Sequence, residues 1–231
     1  VIIRSQTEAY VQFGSSAPST INLSSWSSGA GGMKLTGFNS SASVSAAGDI
    51  NGDGLSDVIV GDFNKSSYAG GAYVVYGTTA SATTISLTTM AASQGFAING
   101  EATNNYAGNS VSAAGDVNGD GLADVIVGAY NYNTSVGRSY VVFGTSGTPT
   151  SINLTAVAAG SGGYAINGLS GGNDYAGYSV SSAGDINGDG LADLIIGATG
   201  TNPSTGSSAE GGRAFVVYGK TGTSMLQLSD V

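Results

Sequence analysis

Asp49-Ile-Asn-Gly-Asp-Gly-Leu-Ser-Asp57, Asp116-Val-Asn-Gly-Asp-Gly-Leu-Ala-Asp124 and Asp185-Ile-Asn-Gly-Asp-Gly-Leu-Ala-Asp193 spell nearly the same nonapeptide three times. Each run places oxygen-bearing side chains at positions 1, 3, 5 and 9, with glycines at 4 and 6. That alternation suits a hard cation, since Ca²⁺ takes about 6–8 oxygens from carboxylates, amides, carbonyls and water. Glycine tolerates φ > 0, so the backbone can curl and aim alternate side chains at one point. The expected ligands are Asp49, Asn51, Asp53 and Asp57 in the first loop. Asp116, Asn118, Asp120 and Asp124 follow in the second, and Asp185, Asn187, Asp189 and Asp193 in the third. Leu55, Leu122 and Leu191, at position 7, are expected to offer a backbone carbonyl while their side chains anchor in the core. Three Ca²⁺ sites follow, and their task is structural.

Two other readings of the loops compete. An EF-hand loop needs an acidic residue at position 12 and a helix behind it. Position 12 here is Val60, Val127 or Ile196, each inside an apolar run, which excludes that reading. Metal-free Asn-Gly/Asp-Gly turns would suit strand connections. They would, however, crowd three carboxylates together, which repel without a cation.

The sequence around the loops repeats as well. Ser-Val-Ser-Ala-Ala-Gly (43–48 and 110–115) and Ser-Val-Ser-Ser-Ala-Gly (179–184) precede them. Asp-Val-Ile-Val-Gly (57–61 and 124–128) and Asp-Leu-Ile-Ile-Gly (193–197) follow. After a variable polar stretch come Ala-Tyr-Val-Val-Tyr-Gly (72–77), Ser-Tyr-Val-Val-Phe-Gly (139–144) and Ala-Phe-Val-Val-Tyr-Gly (214–219). Gly-Phe-Ala-Ile-Asn-Gly (95–100) and Gly-Tyr-Ala-Ile-Asn-Gly, ending at Gly168, close two of the units. These segments are short, β-branched or aromatic and bounded by turn residues, so they read as strands. Val-Ile-Val and Leu-Ile-Ile are apolar on both faces, which predicts a strand buried on both sides. Four antiparallel strands per unit describe a propeller blade. Residues 84–90 and 151–157 have room for a short turn of helix.

The ends align with the same pattern. Val1-Ile-Ile-Arg4, Ala9-Tyr-Val-Gln-Phe-Gly14 and Met33-Lys-Leu-Thr-Gly37 match strands two to four, and Met225–Val231 matches the segment before a fourth strand. The expectation is an all-β propeller domain or segment of about three and a half blades. It divides as a partial blade (1–38), two whole blades (39–100 and 101–168) and a partial blade (169–231). Closed propellers usually take about four to eight blades. The chain therefore either closes on itself, belongs to a longer ring, or joins further copies, the latter two being favoured. It begins at Val1 without Met, as a processed product or a piece of something longer would.

Composition narrows the function classes. The net charge of the 231 residues is −9. The loops, at three Asp each, supply nine of the 15 acidic residues, so the acidity is metal-site chemistry rather than an acidic tail. The six Lys and Arg form no cluster, which argues against nucleic acid or an anionic membrane as partner. No Cys and no His are present, which removes disulfides, Cys nucleophiles and any Ser–His–Asp triad from this chain. No apolar run approaches the roughly 20 residues of a membrane helix.

With its loop and following Asp-Val-Ile-Val-Gly strand, the chain resembles the FG-GAP repeat family, which builds the β-propeller of integrin α subunits and of many bacterial surface proteins. The resemblance implies Ca²⁺ at the loop residues named above and an extracellular or cell-surface location. It also implies a non-catalytic role in adhesion, surface structure or assembly. The Phe-Gly element of the family stands here as Tyr106-Ala-Gly108 and Tyr175-Ala-Gly177, and its Gly-Ala-Pro element lacks Pro. FG-GAP propellers also accompany hydrolases and lyases, so the alternative is an accessory or catalytic propeller of a secreted polysaccharide-degrading enzyme. The acids open to that role are Glu8, Asp62, Glu101, Asp174, Glu210 and Asp230, at non-equivalent repeat positions.

A protein or glycan ligand is expected on the segments that vary between strands two and three: Asp62–Gly71, Ala129–Arg138 and Ala198–Arg213. Further blades of a longer chain, or other copies of this one, are the other expected partners. Most tyrosines occupy repeated strand positions and read as packing residues. Trp26 reads as a packing anchor.

Overall fold

Strands this short need neighbours to bury their apolar faces, and the chain supplies them as four sheets. The structure, a computed structural model, describes residues 1–14, 23, 31–39, 42–80, 83–169, 173–200 and 212–231; Trp26 lies outside them.

The first sheet contains β1 (Ile2–Arg4), β2 (Glu8–Gln12) and β3 (Gly32–Thr36). The second is built on β4 (Ser43–Gly48), β5 (Asp57–Gly61) and β6 (Gly71–Val75). Next in the chain, β7 (Thr83–Ser86) returns to the first sheet, before β8 (Gly95–Asn99) completes the second. The third sheet holds β9 (Ser110–Gly115), β10 (Asp124–Ala129) and β11 (Arg138–Val142). Then β12 (Ser151–Asn153) joins the second sheet and β13 (Gly163–Asn167) the third. The last sheet is β14 (Ala176–Gly184), β15 (Asp193–Ala198) and β16 (Arg213–Val217), while β17 (Leu226–Gln227) pairs back onto the third.

Neighbours within each unit run antiparallel, whereas β7, β12 and β17 each pair in parallel with the fourth strand of the preceding sheet. The segments expected to hold a turn of helix thus do two things. Each opens as an extra strand and then turns: a 3₁₀ turn at Leu87–Thr89 and a helix at Leu154–Ala158. Leu87, Leu154 and Leu228 are buried at these turns. Leucine two residues beyond the extra strand's apolar residue thus fixes the next unit to the edge of the last. The strand count is accordingly higher than the repeats alone suggested.

Three apolar clusters lie between consecutive sheets. Alternation along β10 explains them: Val125 and Val127 face the second sheet and Ile126 faces the fourth. The middle strands β5 and β10 are buried throughout. The expectation of two buried faces fails at β15, where Ile195 is 38% exposed. No described sheet covers that side, and Val216 and Tyr218 share its exposure. The first sheet's outer face is different, because Gln12 and Lys34 stand where the second sheet has Val75 and Ala97. Lys34 there pairs with Glu8 at 2.6 Å.

Candidate metal centre and the rim opposite it

Each acidic loop begins at a β-bulge. Gly48, Gly115 and Gly184, all with positive φ, stand opposite Asp57, Asp124 and Asp193, and the register shifts beside each pair. A bulge with a left-handed glycine re-aims the chain, and here it turns strand one into the loop. Within the first loop, Asp49 Oδ1 accepts from Gly52 N (2.8 Å) and Asp53 N (3.1 Å), while its Oδ2 accepts from Gly54 N (2.8 Å). Asn51 Oδ1 accepts from Asp53 N at 2.9 Å, and Asp53 Oδ1 from Leu55 N at 2.8 Å. The second and third loops repeat this pattern at Asp116, Asn118 and Asp120 and at Asp185, Asn187 and Asp189.

Position 9 has a different setting. Asp57 is buried; its Oδ2 accepts from Ile50 N (2.8 Å) and its Oδ1 from Gly77 N (2.7 Å). Asp124 takes Val117 N and Gly144 N, and Asp193 takes Ile186 N and Gly219 N. One carboxylate thereby ties the loop's second residue to the end of strand three. Burial raises the Asp57 carboxyl to about 6 and Asp124 to about 7, against the lowering effect of those backbone donors. Among the described residues no three acidic side chains are drawn together as a metal cluster.

The donor chemistry still fits a hard cation. Every loop offers carboxylates at 1, 5 and 9, an amide oxygen at 3 and a carbonyl at 7, with no Lys or Arg in the nonapeptide. A bound cation would supply the positive charge that the burial of Asp57 and Asp124 lacks. Positions 1, 3, 5, 7 and 9 of each loop would hold it.

The leucines at position 7 do not enter the core as expected. Leu55, Leu122 and Leu191 are half-buried. A Cβ placed on Gly52 would meet Leu122 Cδ2 at 3.0 Å, and one on Gly119 would meet Leu191 Cδ2 at 3.1 Å. The leucine of one loop therefore covers the glycine turn of the loop before it. The turn leaves no side chain of its own to cover, so the neighbouring methyls fill the space.

Loops also join sheets through the backbone. Ala123 N donates to Asp49 O (3.0 Å) and Thr145 N to Ile50 O (2.8 Å). One unit further on, Ala192 N donates to Asp116 O (2.9 Å) and Lys220 N to Val117 O (2.8 Å). The acidic loop is both the strand-one to strand-two connection and the seam to the next sheet.

At the opposite ends of the same strands lie the segments expected to vary. Despite different sequences, Ser66–Tyr68 and Asn133–Ser135 share one conformation, three consecutive left-handed residues with φ between 49° and 71°. The third such segment lies mostly outside the described residues. Tyrosines gather on this rim. Tyr106 and Tyr130 are stacked at 5.4 Å, with Phe63, Tyr68, Tyr175 and Tyr178 in contact with one or the other. The reading of tyrosines as packing residues holds for buried Tyr73, Tyr140 and Tyr164 and fails here. The equivalent placing of Tyr106 and Tyr175 before Ala-Gly was the available signal.

Of the catalytic candidates, Glu210 lies outside the described residues, Glu8 pairs with Lys34, Asp230 accepts from Ser229 Oγ, and the other three are tied up separately. Glu101 accepts from Arg138 Nη1 (2.9 Å) and Tyr140 Oη (2.5 Å), and Arg138 Nε donates to Asn167. Asp62 receives the Asn39 amide at 3.0 Å. Asp174 is buried and accepts from Leu169 N.

Stacked sheets of antiparallel strands, seamed by acidic loops, define blades of a β-propeller. Comparison with known proteins shows what parts of them are similar to. A sequence model of the FG-GAP repeat matches residues 107–142 and 176–217. Integrin alpha-X of Homo sapiens is 37% identical over 93 residues, 40% of this chain and 8% of the integrin. Integrin alpha-M and integrin alpha-2 of Mus musculus are 37% and 34% identical over the same length and shares. Residues 107–142 and 176–217 are thus similar to FG-GAP repeats. The chain spans about 8% of the length of these curated relatives.

Proposed function

We propose that the chain is a Ca²⁺-stabilised, non-catalytic propeller module of an extracellular or cell-surface protein, serving adhesion, surface structure or assembly. The observation that carries this reading is the acidic loop's double attachment. Each loop holds five oxygen donors suited to Ca²⁺, and the first two bond the next sheet through Ala123 and Ala192. A cation there stiffens the seam between blades, not a reacting centre. The relatives are integrin alpha chains, which supports an adhesion-related role outside the cell. Among the described residues no helix is long and apolar enough to cross a membrane.

The test is thermal unfolding with Ca²⁺ and with EDTA. At millimolar Ca²⁺, affinities of the extracellular kind give about 1 kcal/mol per site. Three sites then raise the midpoint by roughly 5–10 °C in a chain of this size. An unchanged midpoint in EDTA would sink the reading. The enzymatic alternative is disfavoured because Glu101, Asp62 and Asp174 sit in separate structural contacts. Glycan cleavage abolished by Glu101→Gln would restore it.

The bare side of the last sheet extends the reading to assembly. Ile50 and Val117 are 0% exposed, whereas Ile186 at the same loop position is 55% exposed. By continuity with the two internal seams, the occupant of that side is a further sheet of the same repeat. It would donate N–H groups to Asp185 O and Ile186 O.

A further inference from the structure

The rim opposite the acidic loops carries a continuous file of aromatic rings. Tyr106 lies 5.2 Å from Tyr68, 5.8 Å from Phe63 and 5.4 Å from Tyr130; Tyr130 continues to Tyr178 at 5.4 Å and Tyr175 at 6.1 Å. The file crosses three sheets. It is not a core that reached the surface, because Tyr68 is 45% and Tyr178 48% exposed. Its members also occupy costly backbone. Tyr68, Tyr106 and Tyr175 have φ of 62°, 56° and 55°, where a side chain costs about 1 kcal/mol or more. Glycine or asparagine would relieve that cost if only the turn mattered.

Charge decides what such a surface can hold. Most of the described ionisable groups beside it are already engaged. Lys65 Nζ donates to Asn99 and lies over the Tyr73 ring; Arg138 serves Glu101 and Tyr132. Asp62 is held by Asn39, and Asp174 is buried. A phosphate or sulfate group would find one exposed cation here among the described residues, Arg213 at the start of β16, and that one lies near the Asp174 carboxylate. A lysine or arginine would find ring faces but, among the described residues, no exposed carboxylate to complete the pair. What remains is a stepped row of uncharged rings, turned 41°, 24° and 62° to one another and edged with hydroxyls. Burial, then the neighbouring tyrosines, raise the Tyr130 hydroxyl above its ordinary range, so it stays a protonated donor.

We propose that the Tyr68–Tyr106–Tyr130–Tyr178 file is a binding platform for a neutral glycan chain. The axial C–H face of a pyranose ring is apolar and faintly positive, which matches the negative face of an aromatic ring. Its equatorial hydroxyls point outward toward the tyrosine hydroxyls. Several rings in line offer several stacking places to successive sugars. This inference rests on reading the chain as a non-catalytic recognition module and names the ligand class for it.

The test titrates the 231-residue chain, in Ca²⁺, with cellohexaose, chitohexaose and mannohexaose, following amide shifts by NMR. At least one sugar is expected to bind, with the largest shifts at Tyr106 and Tyr130. Tyr106→Ala is expected to weaken it about ten-fold or more. Tyr178→Ala, at a half-exposed site that the fold does not need, is expected to weaken it several-fold. Tyr218→Ala, an exposed tyrosine on the bare side of the last sheet, leaves binding unchanged. Absence of binding by all three sugars at millimolar concentration overturns the proposal. So does binding untouched by both ladder variants, or preference for an oligolysine peptide. A chain stabilised by Ca²⁺ that binds no glycan overturns this inference alone and leaves the module reading standing.

Discussion

Asp124 and Asp120 sit four residues apart in one loop, yet their side chains have separable duties. Asp124 is buried, and its two oxygens accept from Val117 N and Gly144 N. Replacing it by Asn turns one backbone N–H toward an amide NH₂, and a buried unsatisfied donor costs about 1–3 kcal/mol. Asp124→Asn is therefore expected to lower unfolding free energy by that amount even in EDTA, read by urea denaturation. Asp120 is exposed, so Asp120→Ala is expected to cost well under 1 kcal/mol in EDTA. On the proposed Ca²⁺ site, the same variant is expected to lose about one site's worth of stabilisation in Ca²⁺. The bulge glycines permit a cleaner comparison. A Cβ on Gly48 would lie 2.5 Å from Ala123 Cβ, and one on Gly115 would lie 2.6 Å from Ala192 Cβ. Nothing lies within 4 Å of the same position on Gly184. All three have positive φ, so Ala costs each about 1 kcal/mol. Gly48→Ala and Gly115→Ala add overpacking of about 1–3 kcal/mol, and Gly184→Ala does not.

At the level of elements, the parallel strands β7, β12 and β17 hold consecutive sheets together along their outer edges. Each is too short to persist alone, so its anchor leucine decides whether it docks. Leu154 is fully buried in the cluster between the second and third sheets. Leu154→Ala is expected to cost about 2–5 kcal/mol. It should also speed amide exchange of Ala97 and Asn99, the β8 residues paired with β12. Equal exchange in variant and parent would mean that β12 adds nothing to the edge. The repeated apolar strands were legible in sequence because β-branched runs between turn residues have few other structures open to them. These extra strands were not. Three residues such as Ser151-Ile-Asn153 carry no period, and only the exposed edge of β8 makes them a strand.

Across the whole molecule, the two ends are unlike. The first sheet sets Gln12 and a Lys34–Glu8 pair on its outer face. The last sheet turns out Ile195, Val216 and Tyr218. One substitution made at equivalent positions measures the difference. Val117→Ser, in the seam to the fourth sheet, is expected to cost about 2–4 kcal/mol. Ile186→Ser, on the bare side, is expected to stay within about 0.5 kcal/mol. Comparable losses at both, measured by denaturant titration, would show that Ile186 is covered in solution, and sedimentation would then reveal whether a second copy covers it.

The sequence by itself determined the repeat, its strands and the three acidic loops, because each depends on local chemistry. Alternating oxygens, glycines at the turns and β-branched runs need no distant partner to be read. Tertiary structure decided which loop residue does what. Asp57 and Asp124 became buried latches because strand three ends beside them, and Leu122 covers Gly52 because the next sheet places it there. It also decided that Tyr106 and Tyr130, from different sheets, share one surface. No local pattern could bring them together, since the contact exists only once the sheets have stacked.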